Sequence, residues 1–325
     1  MISWQGQMGI GKEIGGYGVA VAPTRYIECQ RGNAEITAAR VVSEEARGTR
    51  WQYRDIKTGL DYAFNWEMWA HPGNIGEILE AALGTLSSVT LIDTEKQHTI
   101  IPASTLPSLS ISVDRAVGAS PTFRLAGAKI DTLTFENTAR DVLRLTVDGA
   151  AQKHALVAAL APVDADYTDL SIPPFIFKDL ALTKGYNGVA PSADTTIERF
   201  MVSIVNNLVR DKITAEGTDY IAALPEGILV VTGAFDREFE DVNDFNAFVA
   251  DQQLDIIVTW TGSSMGTNDY RLQLDIPNAR ITTLPLPEIA GTSDRGMYTI
   301  EFHALYYATD ERVLAVLLNN KETYS

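Results

Sequence analysis

The chain has 325 residues, 46% of them hydrophobic and 21% charged, enough to bury a sizeable core in two domains of common size and too apolar for a disordered chain. Its net charge of −16 opposes stable binding to nucleic acid or to an anionic membrane, since both depend on a cationic surface. No apolar run is long enough for a membrane span, and the lone Cys29 offers neither an internal disulfide nor a metal-ligand pair.

In chain order, MISWQGQMGIGKEIGG lacks the basic and apolar regions of a secretory signal, which predicts synthesis in a cytoplasm. Its GIGKEIGG stretch, Gly9 to Gly16, has neither dinucleotide-binding nor Walker spacing and reads as a flexible arm. A long connection, Ser43 to Gly59, leads into DYAFNWEMW, where period two places Tyr62, Phe64, Trp66 and Met68 on one face and Asn65, Glu67 and Trp69 on the other. Asn74 followed by Glu77 gives a cap-like helix start, and Ile75, Ile78, Leu79 and Ala82 fall at helical spacing before Gly84. SLSISVDR then alternates Leu109, Ile111 and Val113 with Ser108, Ser110, Ser112 and Asp114, the pattern of a half-buried strand, and VLRLTVDG does the same through Leu143, Leu145 and Val147. Prolines 162, 173 and 174 interrupt the pattern, so a boundary is set near residue 170, giving domains 1–170 and 171–325. In the second half a long connection, Asn207 to Gly227, precedes AFDREF. Asp241 is placed to cap a helix carrying Val242, Phe245, Phe248 and Val249, and YRLQLDI and MYTIEFHA alternate as strands equivalent by order and pattern to SLSISVDR and VLRLTVDG.

This order of elements occurs twice, and so do its motifs. FRLAGAKIDTL (Phe123 to Leu133) matches YRLQLDIPNARITTL (Tyr270 to Leu284) at both ends, and AFNWEM (from Ala63) matches AFDREF (from Ala234). The offsets, 171 positions between the AF motifs and 151 between Ala128 and Ala279, leave twenty more residues in the first copy, assigned to the stretch 85–107. Charge is divided unevenly: residues 1–162 hold 15 cations against 17 acids, the remainder 11 against 25, or −2 and −14.

The catalytic inventory is thin. His71, His98, His154 and His303 form no ligand-spaced pair, and no nucleophile elbow occurs. Asp236, Glu238 and Glu240 share one strand face, a pattern open to glycoside hydrolysis but commoner as solvated surface, and Trp51, Trp66 and Trp69 could form a sugar-stacking platform, although Trp66 reads as core. No cofactor or metal is expected, which leaves a structural protein and a carbohydrate-binding or carbohydrate-active β-sandwich as the two readings.

GIGKEIGGYGVAVAPTRYIE, TLPSLSISVDR, FRLAGAKIDTLTFE, IPPFIFKD, IERFMVSIVNNL and the closing EFHALY together resemble the tail tube protein of long-tailed bacteriophages in its two-domain form. The resemblance implies a mainly β (α+β) fold: tandem duplicated β-sandwich or barrel-like domains, each with one short flanking helix, assembled into stacked rings of a hollow virion tube. Three two-copy chains would then close a pseudo-sixfold ring, with tape measure, tail terminator and distal tail proteins as partners and DNA passing through without specific binding. It further implies that the connection before each AF strand contacts the next ring, which makes Arg47, Arg50 and Arg54 inter-ring candidates, and that Asn65, Glu67, Asp236 and Glu238 line an acidic lumen.

Overall fold

The computed structural model describes residues 6–45, 48, 51–115, 122–158, 160, 172–212, 220–239, 242–285, 296–305, 313–321 and 324. The first half contains β1 (Gln7–Lys12), β2 (Arg25–Ile27), β3 (Cys29–Val42), β4 (Asp55–Trp69), α1 (Ile75–Leu83), β5 (Gly84–Ile92), β6 (Glu95–Pro102), β7 (Leu109–Asp114), β8 (Thr122–Thr138), β9 (Arg144–Ala151) and β10 (Lys153–Val157). After a short 3₁₀ turn the second half contains β11 (Leu180–Tyr186), β12 (Ser192–Asp194), β13 (Ile197–Val205), β14 (Val230–Glu238), α2 (Asn243–Val249), β15 (Leu254–Ser264), β16 (Asp269–Thr283), β17 (Met297–Ala304) and β18 (Leu314–Asn319). The protein is mainly β.

One antiparallel wiring diagram appears in both halves. In the first, β2 pairs with β1, β1 with β7, β7 with β8, β8 with both β9 and β10, β9 with β4, and β4 with β3. In the second, the same sequence of partners runs β12, β11, β15, β16, then β17 and β18, β14 and β13. Even the irregularities coincide: Leu109 opposes Ala128 before the register shifts to Ile111 and Leu125, and Leu254 opposes Ala279 before it shifts to Ile256 and Ile276. YRLQLDI is thus the counterpart of β8, while the counterpart of SLSISVDR is β15.

The β5–β6 hairpin has no second-half equivalent and falls within the stretch assigned to the insertion. It reaches across the chain, because β6 pairs with β18 from Lys96 opposite Asn319 to Ile100 opposite Ala315. A second junction is the pairing of β8 with β13, from Thr132 opposite Val205 to Thr138 opposite Arg199. It fuses the halves into one continuous sheet in the order β3, β4, β9, β8, β13, β14, β17, β16. Trp66, Phe135, Phe200, Phe235 and Phe302 project from one face of it and are fully buried, the apolar half of the period-two pattern.

Three local expectations are overturned. GIGK is no flexible arm: it forms β1, and the next residue, Glu13, is buried and accepts hydrogen bonds from the amides of Gly18 and Gly127 at 2.8 Å and the hydroxyls of Ser108 at 2.7 Å and Ser110 at 2.8 Å. Those serines, whose alternation suggests a solvated face, are therefore buried, because Glu13 and the segment that follows β1 pack on them, the Val21 amide donating to Ser110 at 3.0 Å. The helices do begin near the expected residues, but Asn74 makes no side-chain cap, and Val242 holds the capping position of α2, Asp241 lying outside the described residues. Finally, Asp55 to Gly59 belong to β4 and not to a loop, pairing with β3 in a long hairpin as far as Val42 opposite Asp55.

Candidate functional site

The other face of the continuous sheet is polar, and residues directly opposite one another across its strands fall into rows. One row runs Glu67, Thr146, Thr134, Ser203, Thr232 and His303, and its neighbour runs Trp69, Arg144, Glu136, Met201, Ala234 and Glu301. Small hydroxyl side chains dominate the first. Thr134 and Ser203 meet through their oxygens at 3.1 Å, across the seam between the halves.

Carboxylates outnumber cations here, with Glu35, Asp61, Glu67, Glu136, Asp148, Asp236, Glu238 and Glu301 set against Arg31, Arg144, Arg199 and Arg280. Two of the arginines bridge strands. Arg199 of β13 donates from Nε and Nη2 to Glu136 of β8 at 3.0 and 2.8 Å and lies 3.9 Å from Asp236 of β14. Arg144 reaches Asp141 at 2.8 Å and Glu67 at 3.4 Å, and Asp236 accepts from Thr299 at 2.7 Å. Such partly exposed pairs contribute only about 0–1 kcal/mol each, so their main effect is to hold carboxylates in rows. Burial pushes Asp148 above the ordinary carboxylate range, with Arg210 opposing the shift.

Each candidate can now be placed. Asn65 is exposed on this face, and Glu67, Asp236 and Glu238 are half-buried on it, one face shared by both halves through the β8–β13 seam. Arg54 is exposed just before β4, where its carbonyl accepts from the Ser43 amide at 2.8 Å. Arg47 and Arg50 lie outside the described residues, as does Glu240. The described ends of the second connection are held to the sheet: Ile221 and Leu224 pack on Ala150, Lys129 pairs with Glu226 at 2.6 Å, and Arg210 pairs with Asp131 at 2.8 Å. Sequence reasoning misses Arg144, Arg199, Glu136, Thr134 and Ser203, although the alternation through DTLTFE and FMVSIV places the last four opposite the core residues Leu133, Phe135, Phe200 and Val202.

For other chemistry the described residues supply little. His71 approaches the Ile172 carbonyl, His98 bridges Ser88 and Asn319, and His154 approaches the Tyr62 hydroxyl, so these three serve structure. Among the described residues no three metal-ligating side chains cluster, and no helix is long and apolar enough to cross a membrane. Trp66 is in the core, which dismantles the three-tryptophan platform.

A family model described as phage tail tube protein matches residues 3–304. The chain belongs to that family. No curated protein matches it. The tail tube chain is accordingly a structural component of the virion tail.

Proposed function

We propose that three tail tube chains close a ring with six equivalent positions, that rings stack into a tube, and that the acidic, hydroxyl-rich face lines a channel for DNA. The reading divides the chain near residue 170 into two units. One observation carries it: β13 is paired on both sides, by β14 and β8, whereas its counterpart β3 is paired only by β4 among the described residues. A free, long strand edge invites association, and the counterpart of β8 that would fill it is β16 of another chain. Repeating that junction head to tail is a heterologous contact, which ends only by closing. A lining of carboxylates and small hydroxyls would repel phosphate and hold water, where a cationic lining would bind DNA by counterion release. Arg47, Arg50 and Arg54, in the connection between β3 and β4, are the proposed contacts to the next ring. Native mass measurement of dissociated rings tests the stoichiometry: three chains are expected, and six would contradict it.

A further inference from the structure

We infer that the apolar face of α2 docks against the β8–β10 edge of a second copy of this chain, repeating between chains the contact that covers α1 within one. The inference rests on self-association, as the tube reading does, but names a contact that the tube reading does not require.

The two helices align on the left-handed residue that follows each, Gly84 (φ 118°) and Asp251 (φ 47°). On that alignment Glu77 matches Asp244, and both are buried carboxylates paired with cations of the strands beneath, Glu77 with Arg25 and Asp244 with Lys184. The same alignment matches Ile75, Ile78 and Ala82 with Val242, Phe245 and Val249. The first three are wholly buried; the second three are 54%, 39% and 67% exposed, and Phe248 beside them is 38% exposed. Four apolar side chains, Val242 at the cap and three on the short helix itself, form the kind of surface that marks an interaction site.

The difference has a visible cause. α1 lies against β6 and β8, and β6 is held by β18 of the second half. The end of β18 closes over the start of α1: the Asn319 amide donates to the Pro72 carbonyl at 2.9 Å, and Tyr324 packs on Gly76. α2 runs directly into β15 with no hairpin between, so among the described residues no such element covers it.

Internal equivalence says what covers it instead. β10 occupies in the first half the place of β18 in the second. Ala155 opposes Arg124 as Leu318 opposes Arg271, the arginines of the repeated motif, so Leu156 is the counterpart of Asn319. Asn319 is fully buried against the segment preceding α1, whereas Leu156 is 57% exposed, and Phe123 opposite it is 40% exposed. Two bare apolar patches therefore sit at the two positions that the internal junction brings together. A heterologous repeat of that junction places α2 of one chain on Leu156 and Phe123 of the next.

The test uses the full chain with Cys29→Ala, which removes the only native thiol. A single Phe245→Cys variant should react with a maleimide at least tenfold more slowly in assembled tubes than in dispersed chains, and adding Leu156→Cys should give chain-to-chain disulfides on oxidation. Phe245→Asp and Leu156→Asp should each keep the thermal unfolding of the dispersed chain and lower assembly tenfold or more. Tubes that form at the wild-type rate with either aspartate, or in which the thiol of the Phe245→Cys variant reacts as fast as in dispersed chains, overturn this contact and leave the tube reading standing. Should the two-cysteine variant fail to assemble, the labelling of the single variant decides. A wild-type chain that stays monomeric at every concentration overturns both.

Discussion

At the scale of single residues, the most charged point of the interior lies under α2. Asp244 accepts from Lys184 and from an Arg237 nitrogen at 2.5 Å each and from the Tyr298 hydroxyl at 2.7 Å, with Tyr186 as a further donor. Burial alone would raise its pKa; Lys184, aided by the hydrogen bonds from Lys184, Tyr186 and Tyr298, outweighs that and holds it below the ordinary carboxylate range. Asp244→Asn leaves Lys184 and Arg237 buried with Asp194 as their remaining carboxylate partner, and breaking a buried pair of this kind costs about 3–5 kcal/mol. Urea unfolding of the dispersed variant measures it, and a loss below about 1 kcal/mol would show that solvent reaches the cluster. Glu77, its counterpart under α1, behaves in the opposite sense. Burial raises its pKa from 4.5 to about 7 against the pull of Arg25, so the folded chain holds a proton that the unfolded chain releases. Stability from this group is complete below pH 4.5, falls as pH rises toward 7 and is level above it, a total of up to about 3 kcal/mol by linkage. Glu77→Gln should flatten that slope and gain on wild type at pH 8, which parallel urea titrations at pH 5 and 8 can read; an unchanged slope would assign the proton elsewhere.

Elements show what a linear pattern can and cannot convey. β4, β9, β14 and β17 are legible because one face of each meets the core and the other meets water, and period two records that difference directly. β1 is not, because its six residues acquire strand structure only by pairing with β2 and β7, and a glycine-rich run carries no alternation to signal it. The helix α2 carries its large apolar residues outward while Asp244 and Ala247 are its buried members; its spacing suggests a core-facing stripe because a local pattern cannot distinguish a core from a partner. Arg237 stands where Trp66 stands in the first half, and the carboxylates that neutralise it come from β12 and α2, elements the alternation of β14 says nothing about. The β3–β4 hairpin gives the prediction at this scale. Nearly all of β3 is exposed, and the first residues of β4 are exposed as well, so the hairpin contributes little to the core. Deleting residues 46–54 should leave subunits with unchanged thermal unfolding that form no tubes in electron micrographs. Tubes of normal length from the deletion would remove Arg47, Arg50 and Arg54 from the inter-ring contact.

At the scale of the molecule, duplication leaves the wiring of the two halves alike and their charges unlike, −2 over residues 1–162 and −14 over the rest. That imbalance is not carried by the polar sheet face, to which Glu35, Asp61, Glu67, Glu136 and Asp148 come from the first half and Asp236, Glu238 and Glu301 from the second, so on the proposed assembly both halves set the potential of the channel. Asp236 and Glu238 are the sharpest probe of this, since they follow one another on the outward face of β14, with Phe235 of the same strand in the core. Changing both to Lys turns four units of charge per chain, and places one cation near Arg199 in the position where Asp236 now partners it. The pair of changes removes only partly exposed contacts, so dispersed chains should fold and assemble at close to the wild-type rate. DNA release from particles built on that chain should slow, most at low salt, because fixed cations facing phosphates bind by releasing counterions and that attraction falls steeply as salt rises. The salt dependence is the discriminating readout: a channel narrowed by the longer side chains would slow release equally at all ionic strengths, whereas wild-type release at low salt would place these side chains on the outside of the tube.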